Sequence, residues 1–198
     1  MNFTIGLAAG HTTNTDDQDR LTEHLACRRA LDTATDLLRK AGIDVQLLPQ
    51  DLYDRPNNES LAQRVTYFNS LPLDAVAEIH INRGRPRQSY SLALYWQKRI
   101  GPREFQTSHK GKALAQEIAT SLKATLPWRS QGARGMEWAG RGGLYFLSKC
   151  KAPAVIIEAG FMDAADNSWK WLDSPAGQVQ HGLAVAQGVI NYARVAIR

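Results

Sequence analysis

Long apolar runs and an export signal are both missing from this sequence. No stretch approaches the roughly 20 consecutive apolar residues that a membrane-spanning helix needs, so we expect no integral membrane segment. The opening residues, Met1-Asn2-Phe3-Thr4-Ile5-Gly6, contain neither a basic start nor a cleavable hydrophobic segment. We therefore expect synthesis in the cytoplasm without a signal peptide.

Cysteine is also scarce. Cys27 lies in a helical pattern and Cys150 in a predicted loop, and neither belongs to a CxxC or CxxH motif. This spacing gives no support to a metal finger or a redox pair. Two reduced structural cysteines are the expected state. A disulfide between them is the alternative, which would be unusual in a chain without an export signal.

The short motifs of several enzyme classes are absent. HExxH does not occur, and Arg20-Leu21-Thr22-Glu23-His24 misses the inverted HxxEH pattern at its first position. Without GxSxG or GxxxxGK, serine hydrolases and phosphate-loop proteins lose their main support. His24, His109 and His181 are predicted to lie on helix surfaces.

The net charge of +5 favours anionic neighbours without choosing among wall polymers, phospholipids and nucleic acids. The basic cluster Arg83, Arg85 and Arg87 lacks the interleaved aromatic residues of a nucleic-acid stacking surface. We interpret it as a solvated loop and expect no nucleic-acid partner.

Strand and helix patterns alternate over the first 81 residues, which favours a parallel sheet. The predicted strands are Phe3–Ala9, Ile43–Leu48 and Asp74–Ile81, and the predicted helices are Leu21–Ala41 and Glu59–Asn69, the latter capped by Asn58. The expected fold class is therefore α/β, with three layers: a largely parallel twisted sheet with helices on both faces. With 198 residues and no linker, one domain over 1–198 is expected.

The second half of the chain is less regular. The segment 127–143 has no clear pattern and is a candidate substrate flap. The other predictions are strands at Tyr90–Trp96, Leu144–Leu147 and Pro153–Phe161, a helix at Ser108–Thr125 with Ser108 as its cap, and a last helix with Ser174 as cap, Pro175 at its first position and Val179, Leu183, Ala186 and Ile190 along one side.

One apolar run, Pro153–Phe161, contains a carboxylate, Glu158. A buried carboxylate is costly unless a charged group faces it, so Glu158 is a site candidate, with a solvated loop residue as the equal alternative. His11 follows the first predicted strand and His80 belongs to the third, so all three side chains are expected near one edge of the sheet.

Two histidines at one edge indicate a metal, and catalytic zinc is typically held by three protein ligands such as two His and one Glu. Glu23, in the first turn of the helix after the His11 loop, is the preferred third ligand. The loop residues Asp16, Asp17 and Asp19 are rivals. Acidic residues also favour a helix's first turn for electrostatic reasons alone.

Four segments, in order, form a larger pattern: Gly10-His11, Glu23 ahead of a helix ending in Lys40-Ala41-Gly42-Ile43-Asp44-Val45, Glu78-Ile79-His80-Ile81-Asn82, and Pro153-Ala154-Val155-Ile156-Ile157-Glu158-Ala159-Gly160-Phe161. In this order they resemble the zinc-dependent N-acetylmuramoyl-L-alanine amidases of bacterial autolysins and phage endolysins, amidase family three. The resemblance covers nearly the whole chain.

The resemblance implies that His11, Glu23 and His80 hold Zn²⁺ and that Glu158 is the catalytic acid-base residue. The substrate would be peptidoglycan, cut between N-acetylmuramic acid and L-alanine. Zinc can lower the pKa of a bound water to about 7, and a facing carboxylate can move its proton to the leaving amine. Asn82 also matches the family pattern and is a candidate substrate contact, or else only a turn former.

The chain departs from the family pattern at three places. Thr12 stands where the family often has Gly, Leu48-Pro49 replaces an Arg, and Glu78 replaces the usual Ser two residues before the second histidine. Because strand residues two apart share a face, Glu78 is predicted to point the same way as His80. It could support His80, place a negative charge nearby, or pair with an arginine.

Two other functions stay open at this point: a zinc peptidase that cuts within the peptidoglycan stem peptide, and a catalytically inactive peptidoglycan-binding domain on the same fold. We expect a monomeric, single catalytic domain without a separate wall-binding domain. Lack of a leader favours an endolysin-like protein that reaches the cell wall or periplasm after release.

Overall fold

A six-stranded sheet forms the centre of the computed structural model, which describes residues 3–14, 17–139 and 144–196. Its strands are β1 (Thr4–Ala9), β2 (Asp44–Leu47), β3 (Ala75–Asn82), β4 (Ser91–Tyr95), β7 (Ser130–Gly135) and β8 (Ala154–Phe161), in the spatial order β2-β1-β3-β8-β4-β7. The first three strands and β8 are parallel to one another. β4 pairs with β8 in antiparallel orientation, and β7 pairs with β4 in parallel orientation. A separate two-stranded hairpin joins β5 (Gln97–Arg99) and β6 (Phe105–Thr107).

Helices cover both faces of this sheet. They are α1 (Gln18–Lys40), α2 (Asn57–Asn69), α3 (His109–Thr125), α4 (Tyr145–Lys149), α5 (Trp169–Leu172) and α6 (Pro175–Ala196), with short 3₁₀ turns at Gln50–Leu52 and Met136–Ala139. α6 packs between α1 and α3 in one layer, and α2 packs against α4 in the other. The predicted three-layer α/β class, with a mostly parallel sheet, is confirmed.

Local capping explains where the helices begin. The Asp17 side chain accepts hydrogen bonds from the backbone N–H groups of Asp19 and Arg20, so α1 starts three residues before its predicted position. Ser108 caps α3 as predicted, by accepting from Gly111 N. The predicted Asn58 cap is wrong, because α2 already begins at Asn57, after Pro56.

Two predictions for the second half of the chain are wrong. The predicted strand Leu144–Leu147 lies mainly in helix α4, where the Phe146 ring packs edge-on against Phe68 of α2. Periodicity does not distinguish a short apolar helix from a strand. Most of the predicted flap is ordered structure, since Ser130–Gly135 forms edge strand β7 and is held by backbone pairing with β4. Residues 140–143 of that segment lie outside the described residues.

The predicted apolar side of α6 is also wrong. Val179 and Leu183 are exposed, whereas Ala186 is buried. The packed face is built mainly from small residues, because a side chain at Gly182 would collide with the backbone of α1 and one at Gly188 with the backbone of α3. Close helix approach, rather than a stripe of large side chains, therefore decides which face is buried. None of the described helices is long and apolar enough to cross a membrane.

Candidate metal centre

The strand order brings the predicted site residues to one cavity of about 540 Å³. His11 follows β1, His80 lies on β3 and Glu158 on β8, and β3 is the central neighbour of both other strands. His80 and Glu158 are partners in the β3–β8 register, so their side chains leave the same face of the sheet. β8 continues three residues beyond Glu158, which therefore rises from the sheet face near its edge instead of ending the strand.

Glu23 of α1 bridges the two histidines. Its Oε2 lies 3.1 Å from His11 Nε2, and its Oε1 lies 3.1 Å from His80 Nδ1. One ligand atom from each of the three residues lies within 4.8 Å of the other two. Two imidazole nitrogens and one carboxylate oxygen at this spacing suit zinc, which favours such mixed N/O ligand sets.

The rival aspartates have other contacts. Asp17 caps α1 and lies 3.2 Å from Arg83 Nη1, and Asp19 also pairs with Arg83. Asp16 lies outside the described residues. Of the four acidic candidates, the structure therefore places Glu23 with the histidines. The same ion pairs tie Arg83 to the beginning of α1.

The turn after β1 has a special backbone. His11 adopts a left-handed conformation with φ of 59°, which a residue with a side chain rarely takes and which costs of order 1–3 kcal/mol. The preceding residue must be glycine for a different reason, since a side chain at Gly10 would collide with the His80 ring. Local strain and close approach together bring the two histidines near each other, with ring centroids 5.1 Å apart.

Burial and hydrogen bonding shift the pKa of the Glu23 carboxyl group in opposite directions. Only 2% of its side chain is exposed, and burial alone would raise the carboxyl pKa. Hydrogen bonds to His11 and His80 outweigh this effect and lower the pKa of Glu23 to about 2. Glu23 is therefore ionised at neutral pH, which is the state that a metal ligand requires.

Glu78 is buried beneath the histidines and contacts two partners. Its Oε1 accepts a 3.0 Å hydrogen bond from Arg64 Nη1, and its Oε2 lies 3.5 Å from His80 Nε2. The structure thus shows both the arginine pairing and the proximity to His80 that the sequence left open. Burial opposes ionisation of Glu78, but His80 and Arg64 outweigh it and lower its pKa.

Arg64 of α2 was missed by the sequence reasoning. It is 2% exposed, although arginine is seldom buried. Its position gave a signal, since it lies on the same helix face as Leu61, Val65 and Phe68, which form one apolar stripe at helical spacing. A charged residue on the packed side of a helix implies a buried partner, and here that partner is Glu78.

His24 contradicts its predicted surface position. Its side chain is buried, with Nδ1 2.8 Å from the carbonyl oxygen of Gly10, and its ring packs against Tyr53. Burial lowers the pKa of His24. The Tyr53 hydroxyl also accepts a hydrogen bond from Ala9 N, so both side chains support the end of β1. His181 is likewise buried, whereas His109 is exposed as predicted.

Asn82 lines the cavity, but its side chain already has a local partner. Its Oδ1 accepts a 2.8 Å hydrogen bond from the backbone N–H of Arg83. This contact agrees with the turn-forming alternative, while the side-chain amide group is the part that a substrate could use. Both cysteines are free thiols, and burial raises the pKa of Cys150 to about 12.

Fold and site together define a class: an α/β protein that presents a two-histidine, one-glutamate ligand set and a further carboxylate in one cavity. The sequence model of the N-acetylmuramoyl-L-alanine amidase family matches residues 5–191. The chain therefore belongs to that family, and the predicted resemblance is confirmed.

Several solved structures share the fold. The amidase AmiC2 of Nostoc punctiforme shares 20% identity at a TM-score of 0.76, and the match covers 97% of each chain. Ami1 of Mycobacterium smegmatis shares 18% identity at a TM-score of 0.78, over 98% of this chain and all of that one. The catalytic domain of CD27L, an endolysin targeting Clostridia difficile, shares 22% identity at a TM-score of 0.72, over 96% and 98%. No curated protein matches the sequence significantly.

Proposed function

We propose that this protein hydrolyses the amide bond between N-acetylmuramic acid and L-alanine in peptidoglycan, with zinc held by His11, Glu23 and His80. The observation that carries the proposal is the shared cavity, in which a complete ligand set faces a separate carboxylate. Membership of the amidase family supplies the substrate class.

The ligand set fits zinc on its chemistry. It offers two imidazole nitrogens and one ionised carboxylate, and three protein ligands leave a position open for catalysis. Zinc bound there would supply Lewis acidity, polarising the amide carbonyl and lowering the pKa of a coordinated water. The protein's own contribution is to hold the three ligands at the spacing described above.

Glu158 is the residue that we assign to proton transfer. It lines the cavity beside His80 but is not one of the three clustered ligands. A carboxylate in this position can accept a proton from the attacking water and donate it to the nitrogen of L-alanine as the amide bond breaks. Such a group typically contributes about 10²–10⁴-fold to the rate.

The remaining walls of the cavity suit a partly apolar substrate. Leu92, Leu94 and Ile156 line it beside Glu158. Asn82, at the rim formed by the end of β3, is the candidate hydrogen-bond partner for the glycan or the stem peptide.

Product analysis on purified peptidoglycan sacculi tests the proposal. The zinc-loaded protein should release peptides with a free amino group on L-alanine and leave intact glycan strands. Glu158→Gln is the matched control, because it keeps the side-chain shape but cannot take up the proton.

Two results would refute this function. Cleavage within the stem peptide would indicate a zinc peptidase, and binding to sacculi without any released peptide would indicate an inactive binding domain. The single catalytic domain, the monomeric state and the endolysin-like release route stay predictions.

A further inference from the structure

One buried arginine connects the segments that carry both histidines. Arg64 Nη2 donates to the carbonyl oxygen of His11, and Nη1 donates to the carbonyl oxygen of Ala9 at 3.3 Å and to Glu78 at 3.0 Å. Its Nε donates to Ser60 Oγ at 2.8 Å. Arg64 thereby holds the turn after β1 and, through Glu78, reaches the strand that carries His80.

These contacts stabilise the strained backbone at His11. A left-handed non-glycine residue persists only where its surroundings hold it in place. The guanidinium binds the carbonyl groups on both sides of Gly10, those of Ala9 and His11. Arg64 therefore maintains the turn that aims the His11 imidazole at Glu23.

The two ring nitrogens of His80 face two different carboxylates. Nδ1 lies 3.1 Å from Glu23, on the side of the ligand cluster, and Nε2 lies 3.5 Å from Glu78, at the outer limit of hydrogen-bond distance. A neutral histidine that binds a metal through one nitrogen keeps its proton on the other. A carboxylate beside the second nitrogen fixes that tautomer and increases the basicity of the first.

Arg64, together with His80, stabilises the charge on Glu78. Glu78 is 3% exposed and Arg64 2% exposed, so either charge alone would be strongly destabilising at this depth. Replacing one member of such a pair leaves the other unpaired.

We propose that Arg64 and Glu78 are positioning residues, which hold the His11 turn and fix the His80 tautomer so that Nδ1 faces the metal. The inference rests on the zinc ligands of the proposed function but does not depend on the bond that is cut.

Zinc affinity, measured by competition with a chromophoric chelator, provides the first test. Glu78→Gln and Glu78→Ala should weaken zinc binding by about 10- to 100-fold, the usual effect of losing a group that orients a metal-binding histidine. Arg64→Lys should weaken it as well, since lysine has a single nitrogen in place of the planar fork whose Nη1 and Nη2 contact the carboxylate and the two carbonyls. Glu104→Gln, an exposed carboxylate change in the β5–β6 connection, is the control.

The tautomer of His80 provides a second test, which a purely structural role of the pair would not affect. Long-range ¹H–¹⁵N spectra of the zinc-loaded protein should show His80 protonated on Nε2, with the signal assigned by its loss in His80→Gln. If Glu78→Gln destabilises the fold, this measurement on the unchanged protein still decides the question.

Three outcomes overturn the inference: zinc affinity of Glu78→Gln and Arg64→Lys within twofold of the parent protein, a proton on Nδ1 of His80, or no zinc binding by the parent. A different result would refute the proposed function. A parent that binds zinc with the expected tautomer but releases no peptide with a free amino group on L-alanine would refute the function and leave the positioning roles intact.

Discussion

Two histidines, one in the candidate metal centre and one in the helix layer, have pKa values shifted in opposite directions. His80, in the metal centre, is 16% exposed and lies between the carboxylates of Glu23 and Glu78. His181, on α6 in the helix layer, is 1% exposed, and its Nε2 has no hydrogen-bond partner among the described residues. Burial disfavours the charged form of both rings.

The partners decide the outcome. At His80 the lowering effect of burial is outweighed by hydrogen bonds to Glu23 and Glu78, and its pKa is raised well above 6.5 in the metal-free protein. At His181 nothing opposes burial, which lowers the pKa to about 4. In the candidate metal centre the buried charges are thus compensated by partners, whereas in the helix layer the His181 imidazole is buried without such compensation.

The largest expected effect is a loss of activity when Glu158, in the candidate metal centre, is replaced. Glu158→Gln should reduce kcat by about 10²–10⁴-fold, because the proton-transfer group is lost. Zinc affinity and the urea midpoint should stay near those of the parent, since Glu158 lies outside the ligand cluster. Steady-state kinetics on soluble muropeptides checks the rate. Activity within tenfold of the parent would show that the role of Glu158 is misassigned.

Removing apolar volume from the helix layer should act on stability instead. Leu31→Ala, at a fully buried position of α1, should lower the free energy of unfolding by about 2–5 kcal/mol. Leu25→Ala, on the same helix but 49% exposed, should change it by no more than about 0.5 kcal/mol. Urea denaturation compares the pair, and equal effects would contradict the burial seen for α1.

Buried His181 in the helix layer should make stability depend on pH. Above pH 6.5, His181 is neutral in both states and has no effect. As the pH falls from 6.5 to 4, only the unfolded chain takes up the proton, so stability should fall by a total of about 3 kcal/mol from this group.

Replacing His181 tests whether stability falls with pH for this reason. His181→Leu should reduce the loss of stability between pH 6.5 and 4, as measured by urea unfolding at several pH values. The exposed His109→Gln serves as the control and should follow the parent curve. An unchanged slope in His181→Leu would mean that His181 is not held neutral by burial.

The smallest effect is expected at the rim of the cavity. Asn82→Ala should raise KM by less than about tenfold, the loss of one hydrogen bond of about 1 kcal/mol, and leave zinc affinity unchanged. Part of its side chain already serves the turn at Arg83, so a small loss of stability is also expected. No change in KM would leave Asn82 a turn former only.

Much of the parallel half of the molecule could be predicted. The strands around His11, His80 and Glu158 are apolar, and their flanking helices have clear periodicity and capping residues, so local signals agreed with the fold. Prediction failed where local signals were weak. Edge strand β7 is held by backbone pairing that leaves no apolar alternation, and α4 is a five-residue apolar segment that could equally have been a strand.

The candidate site, too, could be predicted only in part. The sequence by itself determined which residues are candidates for the chemistry, because two histidines and two glutamates in this order resemble the amidase family's metal ligands and proton carrier. Only the tertiary structure decided how those groups are supported. The contacts of Arg64 with His11 and Glu78 join residues more than ten positions apart, and the burial of His181 depends on glycines that let three helices pack closely. The sequence could show that Arg64 faces the packed side of its helix, but it could not show which residues it contacts, because contacts between distant positions leave no local sequence pattern.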